Sequence, residues 1–351
     1  MKETIVMIFG VDTHKRSHTV VAVDAVGKKR ATKTVSTTTA AHLGLLCWAR
    51  EQSPNDRLWA IEDCRQLSRR LERDLLFAGE RIVRVPPKLM AKARDSARTY
   101  GKSDPIDALA VARAALREPD LPVGRLDGPE RELRLLIDHR ENLLQERTRA
   151  INRLRWHLHE LDPSIDPKPR SLDRQRGFDA VDRALAAHAD GVVARLARSL
   201  LERCRQLTTE IDALEKEITV TVTKIAPALL AIIGCGAITA AKIIGETANI
   251  ERFKSDAAYA RHNGTAPLPV WSANHSHHRV SRMGNRQLNT AIHTIAIVQV
   301  RCHPGAKALF QRRKEQGNGG LEALRVVKRR ISDAVYQALK QDHYQQLQQA
   351  A

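Results

Sequence analysis

Four carboxylates stand where their types and spacing could do chemistry. Asp12 ends the apolar run Ile5-Val6-Met7-Ile8-Phe9-Gly10-Val11, and Glu62 closes a second run, Leu58-Trp59-Ala60-Ile61. Asp104 and Asp107 lie three apart in Lys102-Ser103-Asp104-Pro105-Ile106-Asp107, so on a helix they share a face. Lys15 and Arg16 follow Asp12, and Arg94, Arg98 and Lys102 precede the aspartate pair. Metal binding needs concentrated negative charge, whereas backbone binding needs positive charge around it. Carboxylates at strand ends inside a basic field therefore fit a nuclease that holds divalent metal against a phosphate. Together the four could carry two Mg²⁺ (or Mn²⁺) ions about 4 Å apart, the spacing that clamps attacking and leaving oxygens in phosphoryl transfer. Singly, each has a plainer reading as a surface acid paired with arginine, and Glu62 has Asp63 beside it as a rival.

A second cluster runs from Pro267 to Arg286 and is crowded with hydroxyls, imidazoles and arginines. It reads as a loop leading into a helix at about 286–300. A serine attacks phosphorus only if its proton is removed and the developing charge is stabilised. Ser272, Ser276 and Ser281 have similar claims on composition. His275, His277 and His278 lack the partner cysteines and spacing of a zinc site.

Three zones must position these groups. From Thr4 to about Leu116, strand-like and helix-like segments alternate: strands at Thr4–Asp12, His18–Ala25, Lys29–Val35, Leu58–Glu62 and Arg81–Val85, helices at Thr39–Glu51, Arg65–Phe77 and from Pro105 to Leu116. Three antiparallel strands followed by alternating helix and strand form the ribonuclease-H-like layout, an α/β mixed sheet. The next zone is helical, with apolar residues at three- and four-residue steps from Leu133 to Leu161 and arginines, Arg149 and Arg153 among them, on the other face. A proline-rich break over 162–177 precedes a second long helix, about Asp179 to Lys224. The pair reads as a helical hairpin, either a spacer or a coiled-coil stalk for oligomerisation. The third zone is helical and glycine-punctuated. Its segment 229–244, with Gly234 and Gly236 in the turn, has the form of a helix-hairpin-helix whose amides approach phosphate. The expected domains are 1–125, 126–226 and 227–351.

Composition fits this reading. Of 351 residues, 58 are Lys or Arg and 40 Asp or Glu, a net +18 that makes a polyanion the default partner. Aromatics at 4% argue against a base-stacking platform. The cysteines Cys47, Cys64, Cys204, Cys235 and Cys302 form no C-x-x-C pair and read as reduced thiols. Neither a signal peptide nor a bilayer-spanning run is visible, so the expectation is a cytoplasmic, nucleoid-associated protein.

The motifs Gly10-Val11-Asp12-Thr13-His14-Lys15, Glu62 and Lys102-Ser103-Asp104-Pro105-Ile106-Asp107 resemble the RuvC-like domain of the insertion-sequence family one-hundred-ten, the DEDD transposases guided by a bridge RNA. Ile233-Gly234-Cys235-Gly236, Arg252-Phe253, Gly264-Thr265-Ala266-Pro267 and Arg282-Met283-Gly284-Asn285-Arg286-Gln287-Leu288 resemble that family's second domain. The resemblance implies that Asp12, Glu62, Asp104 and Asp107 are metal ligands. It also implies that Ser272 is the nucleophile, forming a phosphoserine link to DNA that a 3′-hydroxyl resolves. It implies dimers or tetramers with a composite active site and a bridge RNA that selects the target. Nucleic-acid contacts are expected from Lys15, Arg16, Arg94, Arg98, Lys102, Arg149, Arg153, Gly234, Gly236, Arg279, Arg282, Asn285 and Arg286, and from the basic helix around 325–330. Two departures stand out: the family's Ser-Gly is Ser272-Ala273, and its Gly-Lys near the C-terminus is Gly317-Asn318. The competing readings are a RuvC-type junction nuclease and a non-catalytic nucleic-acid-binding relic.

Overall fold

The computed structural model describes residues 7–62, 67–86, 89–90, 103–118, 121, 123–124, 128–188, 191–272, 275–279 and 284–350. Packing divides the chain into two compact units, Met1–Asp127 and Gly128–Ala351.

The first unit is built on a five-stranded sheet of order β3-β2-β1-β4-β5. Strands β1 (Met7–Thr13), β2 (Ser17–Asp24) and β3 (Lys29–Ser36) pair antiparallel. Helix α1 (Thr39–Gln52) crosses to β4 (Arg57–Glu62), parallel to β1, and α2 (Arg69–Phe77) crosses to β5 (Ile82–Val85), parallel to β4. Helix α3 (Asp104–Arg117) covers the other face. This strand order and these directions define the ribonuclease-H-like fold. Because successive side chains alternate faces, the nearly continuous apolar run of β1 feeds two cores. Phe9, Val11, Trp59 and Ile61 pack against Leu45 and Leu46 of α1 and Leu71 and Leu75 of α2. Ile8, Leu58 and Ala60 pack against Ala108, Val111 and Ala112 of α3.

The second unit begins with α4 (Pro129–Leu161), which runs antiparallel to α6 (Val192–Ile225), with Arg140 paired to Glu215 and Arg203 to Glu146. The single helix expected over 179–224 is instead two, α5 (Gln175–Ala186) and α6. Gly191 takes an extended conformation before α6, and α5 folds back so that Phe178, Val181 and Leu185 pack on Leu154 and Leu158. The rest comprises α7 (Pro227–Leu230), α8 (Ala237–Thr247), α9 (Asp256–Asn263), a hairpin of β6 (Leu268–Ser272) and β7 (His275–Arg279), α10 (Arg286–Cys302), α11 (Pro304–Glu315) and α12 (Gly320–Ala350). The hairpin replaces the loop expected over 267–286. Its two strands pair antiparallel, with Trp271 opposite Ser276 and Ser272 opposite His275, and Val270 and Trp271 supply the β-branched and aromatic character that strands favour.

The base of α4 and α6 shares one core with the later helices, through Leu133, Ile137, Ile218 and Val222 packed with Ala240, Ile244 and Ile292. Composition changes near 126 and 227, but packing divides the chain only once. The expected helix-hairpin-helix has a single turn, α7, as its first arm. Gly234 in its turn has φ +88, and a Cβ there would come within 3.0 Å of Val298 on α10. Among the described residues no helix is long and apolar enough to cross a membrane.

Candidate metal centre

Three local features bring Asp12 and Asp104 together and set Glu62 on the neighbouring strand. Alternation along β1 puts Ile8, Gly10 and Asp12 on the face covered by α3, and alternation along β4 puts Leu58, Ala60 and Glu62 there too. Val11 is in register with Ile61, so Glu62 lies one step beyond, on the strand beside Asp12. The third feature is Gly10. A Cβ at this position would lie 2.2 Å from the Ala108 carbonyl oxygen and 2.6 Å from the Ala112 amide nitrogen. Glycine therefore lets the backbone of α3 rest directly on β1. Pro105 sits in the first turn of α3, where a missing N–H costs nothing, and Asp104 and Asp107 share that turn, favoured by the helix dipole.

His14 marks where these elements converge. Its Nε2 lies 3.2 Å from Asp12 Oδ2 and 3.3 Å from Asp104 Oδ1. Ligand atoms of the three residues fall within 4.8 Å of one another. Asp12 is only 5% exposed and Asp107 is buried too, while the Asp104 and His14 side chains are half exposed. Burial pushes the Asp12 carboxyl above its ordinary pKa; His14 pulls it back, and the negative charges of Asp107 and Asp104 push it higher. Beyond the long contact to the His14 ring, the buried Asp12 Oδ2 has no hydrogen-bond partner. A buried, poorly satisfied carboxylate oxygen facing two further aspartates fits a hard divalent cation, which takes oxygen ligands and offsets their repulsion. His14 belongs to this group, although the sequence alone does not mark it out.

The second unit carries Ser272 at the end of β6, in register with His275. Two motifs close the base of this hairpin. Gly264 ends α9 in a left-handed conformation (φ +74), and Gly284 packs so closely that a Cβ there would lie 2.4 Å from the Gly264 nitrogen. The Asn285 N–H donates to the His262 carbonyl at 2.7 Å, and Asn289 Nδ2 donates to the Asn263 carbonyl at 2.9 Å. The fully buried Asn263 accepts from the Thr265 N–H and hydroxyl and donates to Ser332 Oγ at 2.8 Å. Thus the Gly-Thr-Ala-Pro and Gly-Asn-Arg segments hold the two ends of one hairpin.

The expected nucleic-acid contacts fall in several places. Lys15 and Arg16 are exposed in the turn after β1, Arg149 and Arg153 are exposed on α4, and Arg286 is exposed in the first turn of α10. Gly236 precedes α8 and faces open space. Asn285 instead works inside the protein: Oδ1 caps α10 by accepting from the Gln287 and Leu288 N–H groups, and Nδ2 donates to Glu246. Arg279 lies in β7, and Arg94, Arg98, Lys102 and Arg282 lie outside the described residues.

The ribonuclease-H-like sheet thus brings Asp12, at the end of its central strand, beside Asp104 of α3, a donor set that would fit a divalent ion. Comparison with known proteins narrows the reading. A model of the DEDD transposases of IS110 matches residues 9–163, and a model of the IS116/IS110/IS902 transposase family matches residues 226–311. The IS116 uncharacterized 44.8 kDa protein of Streptomyces clavuligerus is 33% identical over 158 residues, which span 45% of this chain but only 39% of that one. The IS900 uncharacterized 42 kDa protein of Mycobacterium paratuberculosis is 26% identical over 95% of each chain. Among solved structures, RuvC of T. thermophilus in complex with a Holliday junction substrate matches 34% of this chain and 99% of that one, at 11% identity and a TM-score of 0.28. The two matched stretches together cover more than half of the sequence, and the chain belongs to the IS110/IS116 transposase family.

Proposed function

We propose that this chain is an insertion-sequence transposase that cuts and exchanges DNA strands through a serine–DNA intermediate. Its carboxylates Asp12, Glu62, Asp104 and Asp107 would hold Mg²⁺ or Mn²⁺, and Ser272 would be the nucleophile. The observation that carries the reading is the convergence of Asp12 and Asp104 on one point, 3.2 and 3.3 Å from His14 Nε2, with buried Asp107 adding to the negative potential there. When bound, a divalent ion supplies positive charge that neutralises a phosphate and stabilises the charge developing in phosphoryl transfer.

Ser272 Oγ attacks the scissile phosphorus; the Oγ–P bond forms as the bond to the 3′-oxygen breaks, and that oxygen takes up a proton. A 3′-hydroxyl from another strand then attacks the phosphoserine, re-forming a phosphodiester and returning the proton to serine. The number of phosphodiester bonds is conserved, so the outcome is exchange without net hydrolysis. Family resemblance supports a dimer or tetramer in which carboxylates and serine come from different protomers, and a bridge RNA that selects the target by base pairing.

The test is to incubate the full chain with element-end DNA and Mg²⁺ and trap covalent adducts under denaturing conditions. An adduct is expected that disappears in Ser272→Ala and in Asp12→Asn. Cutting that persists in Ser272→Ala without an adduct would favour a RuvC-type nuclease. Binding without any Mg²⁺-dependent product would favour a non-catalytic relic.

A further inference from the structure

In the second unit, a groove of about 1170 Å³ lies between α10, the 316–318 turn and α12. Its lining includes residues 264–267, the segment that leads directly into β6 and Ser272. The charges in the groove do not cancel. Of its carboxylates, Asp333 is paired with Arg329, and Glu322 accepts the Gly319 N–H at 3.1 Å. Lys328 is partly buried, and its ammonium donates to the neutral amide oxygen of Asn289 at 2.5 Å. Among the described residues no carboxylate forms an ion pair with Lys328, Arg325 or Arg330. Burial and the Arg325 charge hold the Lys328 ammonium below its ordinary pKa, and burial with the Lys328 charge does the same to His293. A partly desolvated ammonium crowded by a second cation, with no counter-ion, forms a site that an anion completes.

We propose that this groove holds the phosphodiester backbone of the DNA strand presented to Ser272, with Lys328, Arg325 and Arg330 as its phosphate contacts. Asn289 then acts as a positioning residue: its side-chain oxygen orients the Lys328 ammonium, and its Nδ2 is fixed on the Asn263 carbonyl at the hairpin base. One pair of hydrogen bonds therefore links the groove to the segment carrying the serine. The choice of strand rests on the proposed role of Ser272; the phosphate contacts do not.

The experiment measures fluorescence anisotropy of the full chain in EDTA, so that catalysis plays no part. The probes are labelled single-stranded DNA, duplex DNA and an RNA hairpin of equal length. Arg325→Gln with Arg330→Gln changes two exposed positions, and Lys328→Gln is compared with Lys328→Arg. Each lost phosphate contact should weaken DNA binding independently of sequence and lower the slope of log K against log salt by about 1. The double variant should therefore lose about two units of slope at an unchanged melting temperature, and Lys328→Arg should bind better than Lys328→Gln. An unchanged DNA slope in the double variant, or a loss confined to the RNA probe, would overturn the assignment. Normal groove-dependent binding with no Mg²⁺-dependent adduct would sink the transposase reading and leave the groove intact.

Discussion

At the scale of the residue, Gly10 matters as much as the acids it helps to assemble. A methyl group there would strike backbone atoms of α3, which cannot rotate away as a side-chain tip can. Gly10→Ala should therefore cost stability toward the upper end of the roughly 1–3 kcal/mol typical of overpacking. It should also shift Asp104 and Asp107 away from Asp12. Gly44→Ala is the control, because Gly44 lies in α1 with nothing within 4 Å of the added Cβ. A thermal melt of both variants, with Mg²⁺-dependent adduct formation, checks the idea; equal melting temperatures would refute it. The placement of Asp12 and Glu62 near strand ends was legible in the sequence because an ionisable group ending an apolar run is conspicuous. His14 was not, because its meeting with Asp12 and Asp104 depends on the turn that joins His14 to Ser17 and on where α3 lands.

At the scale of the element, the β6–β7 hairpin is held by capping and backbone bonds at its base. Asn285 is the residue to test. Replacing it with Ala removes the cap of α10, worth about 1 kcal/mol, and a donor to the buried Glu246 carboxylate, worth a further 1 kcal/mol or so. The expected result is a lower melting temperature, with DNA affinity unchanged where the variant remains folded. Lost affinity at an unchanged melting temperature would instead make Asn285 a nucleic-acid contact. The strands of the first unit were legible as short apolar runs rich in β-branched residues, but the hairpin was not, because Pro267, Pro269 and several histidines dilute the strand signal. In the long helices, periodicity located the seam only to within a residue: Leu196 is exposed, while the smaller Ala197 and Cys204 are buried. Leu207, Ile211 and Ile218 of the same helix are buried, so large residues mark the seam except where packing uses small side chains.

At the scale of the whole molecule, acid is the condition that should separate folding from charge screening. His18 in the first unit is fully buried, and His262 in the second accepts a hydrogen bond from Arg252 at 3.0 Å, which requires the neutral ring. Burial pushes both pKa values down to about 4, with His42 and His14 adding to the effect at His18 and Arg252 at His262. In the unfolded chain each imidazole takes up its proton near pH 6.5. Between pH 6.5 and 4 the unfolded state therefore binds more protons, and stability falls as pH falls through that window. Above pH 6.5 the contribution is fully present, and a shift of this size is worth up to about 3 kcal/mol for each histidine. Urea unfolding at several pH values, at constant high salt to screen the net +18, should show a steep loss of midpoint from pH 6.5 downward. His262→Gln retains an acceptor for Arg252 but cannot take up a proton, so it should make that slope shallower. A slope unchanged by His262→Gln would mean that this imidazole does not stay neutral in the folded chain.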